Sequence, residues 1–141
     1  MDNFSVKKSL ESLVILIDTR EQDTKQFQHR IGDMKCSTER VCLPYGDYSC
    51  RCTLPGGEVL DFSTKVVIER KMNLDELCIC FGKERKRFKA EFERAKKAGC
   101  KTYLLIENAS WENAILGKYR SKYNSAALIA SLLAWILRYN M

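Results

Sequence analysis

The segment Val66-Val67-Ile68-Glu69-Arg70-Lys71 constrains this chain more than any other. Three consecutive β-branched residues fit a buried strand. The strand then runs straight into one acid and two bases. Charge placed in a core is costly unless it is paired or bound to a metal. The three charges are therefore expected at the rim of a sheet, where a strand hands over to a helix. Alternation along the strand puts Glu69 and Lys71 on one face and Arg70 on the other. A carboxylate and an ammonium side by side, joined by Asp47 after Gly46 at a turn, suit a hard metal and a phosphate. The matching chemistry is phosphodiester hydrolysis. Asp47 equally fits a turn aspartate that bonds its own backbone.

The charge distribution names a partner. The chain of 141 residues has a net charge of +6. Residues 83–101 hold nine bases (Lys83, Arg85, Lys86, Arg87, Lys89, Arg94, Lys96, Lys97, Lys101) and three acids (Glu84, Glu91, Glu93), which accounts for the whole excess. Such a concentration points first to nucleic acid. The length fits one domain, and 45% hydrophobic with 30% charged residues is globular composition without a disorder signature. Seven cysteines is an odd number, and the first ten residues lack the apolar stretch of a secretory signal. Cys50-x-Cys52 and Cys78-x-Cys80 are spaced too closely for structural zinc, and His29 is the only histidine. Reduced thiols packing as small hydrophobes are expected, with no structural zinc. The longest apolar stretch, 126–137, is too short to cross a bilayer. No membrane partner and a cytoplasmic location are the expectations.

Residues 13–17 read as a short apolar strand ending in Asp18-Thr19-Arg20-Glu21. Asp23 or Thr24 can cap a helix that buries Phe27 and Ile31. A second strand is expected over 38–43, before the turn Pro44-Tyr45-Gly46-Asp47. Residues 48–54 and 58–62 flank Pro55-Gly56-Gly57 as a hairpin, and the strand 66–69 follows. Asn73 and Glu76 form a capping-box-like start to a two-turn helix reaching Phe81-Gly82. A helix over 83–98 puts Phe88, Phe92 and Ala95 on one face and stops at Gly99. Residues 102–106 form a strand ending in Glu107. Ser110 caps a short helix near Trp111, and Asn124 or Ser125 opens a last helix through Tyr139. This order gives an α/β fold with a mixed sheet flanked by helices and no internal boundary.

Asp47…Glu69-x-Lys71 is the core pattern of a large nuclease superfamily. The longer pattern Gly46-Asp47…Glu69-Arg70-Lys71-x-x-x-Asp75 resembles the GD…ERKxxxD signature of the XPF family of structure-specific endonucleases. Ile17-Asp18-Thr19-Arg20-Glu21, Leu43-Pro44-Tyr45-Gly46-Asp47-Tyr48 and Leu104-Leu105-Ile106-Glu107 resemble that family's surrounding motifs, so the likeness covers about residues 12–140. It is similar to the compact versions carried by bacteria and their phages. The resemblance implies a restriction-endonuclease-like fold and a Mg²⁺ or Mn²⁺ cofactor. It implies metal ligation by Asp47 and Glu69, with the Arg70 carbonyl a further ligand and Asp18 contributing directly or through water. Lys71 is then the catalytic lysine, and Arg70 belongs to the same catalytic signature. Asp75, Arg20 and Glu21 support the site. Asp75 also fits the first turn of a helix, where a carboxylate is favoured anyway, and Arg20 fits either a phosphate contact or a surface ion pair.

Lys65, Lys83, Arg85, Lys86 and Arg87 are the candidates for contact with DNA phosphates, against the plainer reading of a solvated face. Residues 126–139 are apolar around nearly the whole helix circumference. Either the helix is deeply buried, or a symmetric homodimer covers its second side; the resemblance favours the dimer. The chain is read as a single nuclease domain, 1–141. Measured against that family, this sequence is expected to lack a helix-hairpin-helix or helicase domain, and the family's last strand and helix are expected to be missing as well. The expected activity is nicking of branched DNA (flaps, forks, splayed arms) in repair or recombination. The alternatives are a DNA-binding platform or partner subunit that has lost catalysis, and a general nuclease of linear DNA. Subunits of the former kind lack the acids and the lysine that this chain retains.

Overall fold

The computed structural model describes residues 3–141, the side chains from Ser5 onward. Six helices and six strands run through these residues in an α/β fold whose mixed sheet is flanked by helices. The chain gathers into two compact units, 1–67 and 68–141, and the division falls inside a strand.

In the first unit, β1 (Val14–Asp18) is central. It pairs in parallel with β2 (Ser37–Val41), with Asp18 beside Val41, and antiparallel with β3 (Tyr48–Thr53), with Ile17 beside Tyr48. The expected hairpin joins β3 to β4 (Val59–Asp61), closed by Leu54 N–H to Glu58 O at 2.7 Å. Parallel neighbours need a crossover, and α2 (Lys25–Asp33) supplies it. Thr24, one of the two caps expected, accepts from Phe27 N–H. Phe27 is buried and Ile31 only half-buried, so one of the two expected anchors carries the packing. A helix that the sequence reading lacked, α1 (Asn3–Glu11), precedes β1. The reason is visible in its residues: too few apolar positions repeat for a helical face to stand out. Ser12, just after it, ties this end of the chain to β3 through two hydrogen bonds with the Thr53 backbone.

β5 runs over Val66–Lys71, two residues beyond the strand expected from its apolar start. Its first two residues close the first unit and the rest open the second. In the second unit β5 leads to α3 (Leu74–Phe81), α4 (Arg85–Lys97), β6 (Lys101–Ile106), α5 (Trp111–Ile115) and α6 (Ser125–Tyr139), and β6 lies beside β5. Asn73 caps α3 by accepting from Glu76 N–H, whereas Glu76 returns to Met72 N–H, one residue outside the reciprocal bond of a capping box. Ser110 and Asn124 cap α5 and α6. Gly99, at φ +73°, turns the chain out of α4, a conformation that costs a side-chain-bearing residue strain.

The core of the second unit is aromatic. Trp135 stacks on Phe88 with centroids 4.7 Å apart and meets Phe81, Phe92 and Tyr139 edge-on at 5.1, 4.8 and 5.1 Å. Phe88, Phe92 and Ala95 are indeed the buried face of α4. The alternative of deep burial for α6 is not realised. Leu128, Leu132 and Trp135 are buried, but Leu133 and Leu137 are 51% and 83% exposed. No helix among the described residues is long and apolar enough to cross a membrane. All seven cysteines are unbridged, and burial pushes the Cys80 thiol up to about 11. Because Trp135 touches four rings, Trp135→Ala should cost about 3–5 kcal/mol. Lys89→Ala, on the exposed side of α4, should stay within about 0.5 kcal/mol. Urea unfolding monitored by circular dichroism compares the two.

Candidate active site

Asp18 ends β1 as a carboxylate only 1% exposed. Its Oδ1 accepts from the Arg20 N–H at 2.8 Å and Arg20 Nε at 2.5 Å, and its Oδ2 from Leu43 N–H at 2.8 Å and Arg20 Nη2 at 3.1 Å. Arg20 also reaches the Leu43 carbonyl, and Asp18 N–H donates to the Asp47 carbonyl at 2.8 Å. Asp18 therefore buckles the end of β1 to the Leu43–Asp47 turn, in which Gly46 adopts φ +61°. Burial pushes the Asp18 carboxyl up, but the hydrogen bonds from Arg20 and Leu43 outweigh it and hold the group below its ordinary value. Both Asp18 oxygens are thus engaged by the chain itself. This geometry suits a residue that positions Asp47 better than one that ligates metal directly. Arg20, expected beside phosphate or in an ion pair, is committed to Asp18 while two-thirds of its side chain stays exposed. Glu21 turns instead to Arg30 at 3.6 Å, and Arg30 donates to the Tyr48 hydroxyl at 2.6 Å.

In the second unit Glu69 and Lys71 share the buried face of β5, as alternation requires. They do not emerge at a rim: the residues are 9% and 8% exposed, and Lys71 Nζ donates to Glu69 Oε1 at 2.5 Å. Mutual pairing is what makes burial tolerable. Arg70 takes the other face, where Nε and Nη2 both reach Glu107 Oε2, at 2.9 and 2.7 Å. Glu107 N–H donates to the Lys71 carbonyl at 2.8 Å, so β6 braces the charged end of β5 through both side chain and backbone. Asp75 lies in the first turn of α3 without capping it. Its Oδ1 accepts from Ser121 N–H at 2.7 Å and its Oδ2 from Arg120 Nε at 3.3 Å, which fastens the segment before α6. These bonds outweigh desolvation and lower its pKa.

The candidate phosphate contacts divide into two groups. All five are exposed, and Lys65, Lys83 and Lys86 differ from the two arginines in the bonds the arginines make to the protein. Arg85 donates to the Phe81 carbonyl and to Ser131 Oγ, and Arg87 pairs with Glu84 and Glu91 along α4. Sequence reasoning missed two contributors. Glu107 carried a faint signal, an acid ending a strand. Phe88 carried none beyond apolar spacing, yet the Lys71 ammonium lies over its ring at 5.2 Å from the centroid. Within neither unit do three His, Cys, Asp or Glu side chains gather as a metal cage among the described residues. The carboxylates present, half-buried Asp47 and buried Glu69, are hard oxygen donors that fit Mg²⁺ or Mn²⁺, ions that keep several of their waters.

The Asp18 buckle generates a pH prediction. Its folded-state value lies below 3.8, so the charged carboxylate stabilises the fold above that pH. The contribution fades as pH falls through the folded-state value. Asp18→Asn should therefore lower stability by about 1–3 kcal/mol near neutrality. Urea unfolding across a pH series should show the wild-type and Asp18→Asn curves converging in acid and running parallel above 3.8.

A profile of the ERCC4 domain matches residues 17–141. Comparison with curated proteins returns no match. Among solved structures, XPF from Aeropyrum pernix is similar, with a TM-score of 0.57 and 20% sequence identity over 89% of this chain and 49% of that one. That likeness bears on the fold, and the chain spans about half the length of that protein. With the profile covering all but the first sixteen residues, the chain belongs to the ERCC4 domain family of structure-specific nucleases.

Proposed function

We propose that this chain is a divalent-metal-dependent endonuclease that nicks branched DNA near junctions of duplex and single strand. One observation carries the reading: the motif Gly46-Asp47…Glu69-Arg70-Lys71-x-x-x-Asp75 is intact in a member of a nuclease family, and its lysine is held against its glutamate. Asp47 and Glu69 would hold Mg²⁺ or Mn²⁺, with the Arg70 carbonyl a further ligand. When bound, the ion supplies Lewis acidity and lowers the pKa of a water. Lys71 orients that water and offsets the negative charge that grows on the phosphorus oxygens. Asp18 and Arg20 fix the turn that presents Asp47. Asp75 fixes the segment ahead of α6 and so acts as a supporting residue.

DNA would run over the exposed bases Lys65, Lys83 and Lys86, with Arg85 and Arg87 adding positive charge from side chains that also brace α4. The apolar outer stripe of α6, including Leu133 and Leu137, supports the reading that residues 126–139 form a homodimer interface.

Incubating the protein with labelled flap DNA and Mn²⁺ should release a nicked product. Asp47→Ala or Lys71→Ala should slow single-turnover cleavage by at least about 100-fold. Cleavage by either variant at the wild-type rate would overturn the site. Circular dichroism must accompany the assay, because removing Lys71 leaves Glu69 buried without its ion-pair partner, at a cost of about 3–5 kcal/mol. A panel of linear, single-stranded and branched DNA identifies the substrate class. For binding, the joint variant Lys83→Ala/Lys86→Ala should flatten the dependence of log Kd on log salt by about two units. For assembly, Leu137→Glu should convert a wild-type dimer to monomer in sedimentation velocity.

A further inference from the structure

The Lys71 ammonium is a point charge on a flexible four-carbon stem, and such a stem does not hold its own position. The Glu69 carboxylate, at 2.5 Å, is one anchor. In the metal-bound enzyme that anchor is compromised, because Glu69 must share its charge with a divalent cation that itself repels the ammonium. A group that attracts a cation but cannot be drawn to the metal as a ligand keeps its hold when the carboxylate is shared.

Phe88 is such a group. The negative face of its ring attracts the ammonium electrostatically, and a hydrocarbon ring offers no donor atom to the metal. The contact is desolvated: the Lys71 side chain is 10% exposed and Phe88 is 2% exposed. The ring is also fixed. Trp135 stacks on it at 4.7 Å and 20°, while Phe81 and Phe92 press edge-on with centroids at 5.8 and 5.1 Å. A side chain packed by three aromatic neighbours keeps its orientation. We propose that Phe88 is a positioning residue for Lys71, its ring face holding the ammonium in place once Glu69 is shared with metal. The assignment rests on the reading of Lys71 as the lysine that faces the reacting phosphate. It gives α4 two faces of use: Lys86 on the exposed side, Phe88 beneath Lys71 on the buried one.

Fluorination separates this role from packing. Each fluorine on a phenylalanine ring weakens the negative face while nearly preserving shape and apolarity. The full chain is made with 4-fluoro-, 3,5-difluoro- and 3,4,5-trifluorophenylalanine at position 88. Single-turnover cleavage of flap DNA, its half-saturating DNA concentration and the thermal midpoint are then measured. The expected result is a stepwise fall in the cleavage rate, about three- to thirty-fold by the trifluoro ring. Half-saturation and midpoint should hold steady. Phe88→Tyr, which keeps an aromatic face, should stay close to wild type in rate, and Phe88→Leu should fall at least as far as the trifluoro protein. A flat rate across the fluorinated series while Lys71→Ala is inactive overturns the role of Phe88 and leaves the site intact. Full activity in Lys71→Ala overturns the site itself, and the role of Phe88 with it. A rate that falls only in step with the thermal midpoint reduces Phe88 to core packing and overturns the proposal.

Discussion

Everything distinctive about this chain turns on a buried ion pair, Glu69 with Lys71, on one face of β5. Two charges withdrawn from water gain little net stability from each other, and each is costly without the other. Such a pair persists where geometry beyond stability is required of it. The chain surrounds the pair with restraints: Glu107 holds the Lys71 carbonyl from β6 and takes up Arg70 on the opposite face, and Phe88 lies against the ammonium. The unit's aromatic core therefore does more than exclude water. Through Phe88 it sets the environment of the one ammonium that the proposed chemistry uses.

The fold was largely legible because its signals are local. Thr24, Asn73, Ser110 and Asn124 all cap helices by accepting an N–H three residues on, a bond that spacing alone foretells. The hairpin at Pro55-Gly56-Gly57 and the stop at Gly99 follow from backbone conformations that few residues tolerate. Where the reading fell short, no local signal existed. α1 lacks a repeating apolar face. β5 extends through Lys71 because Lys71 pairs with Glu69 on its own face and Arg70 finds Glu107 far along the chain, a partner that periodicity cannot register. The second side of α6 was legible as a question, burial or a partner, and the exposure of Leu133 and Leu137 speaks only against burial.

The candidate site was legible as a set of residue types and not as a set of roles. Asp18, Asp47, Glu69 and Asp75 are alike in sequence, all acids at element ends. The structure differentiates them by partners far along the chain. Leu43, twenty-five residues from Asp18, and Ser121, forty-six from Asp75, decide that those two carboxylates brace loops. A carboxylate that accepts several N–H bonds is fixed in charge and direction and so makes a good strut. A metal ligand must keep oxygen lone pairs for the ion. Counting acids in a motif therefore leaves their roles open, and the bonds that Asp18 and Asp75 make favour a bracing role for those two.

The same reasoning applies to the bases. Residues 83–101 carry the whole net charge, yet the side chains within that segment do different work. Arg85 is spent on the Phe81 carbonyl and Ser131, Arg87 on Glu84 and Glu91, and Lys96 on the Arg138 carbonyl. A cation engaged by a neutral carbonyl keeps its field, so it still attracts a polyanion at a distance even where it cannot form a close phosphate contact. On the proposed reading, long-range attraction would belong to the segment as a whole, and close contact first to the exposed lysines Lys83 and Lys86. Salt would weaken both, whereas deleting an arginine such as Arg85 would remove a charge and a brace of α4 together. Binding strength and helix integrity are therefore coupled in this segment, and the lysines are the positions at which they separate.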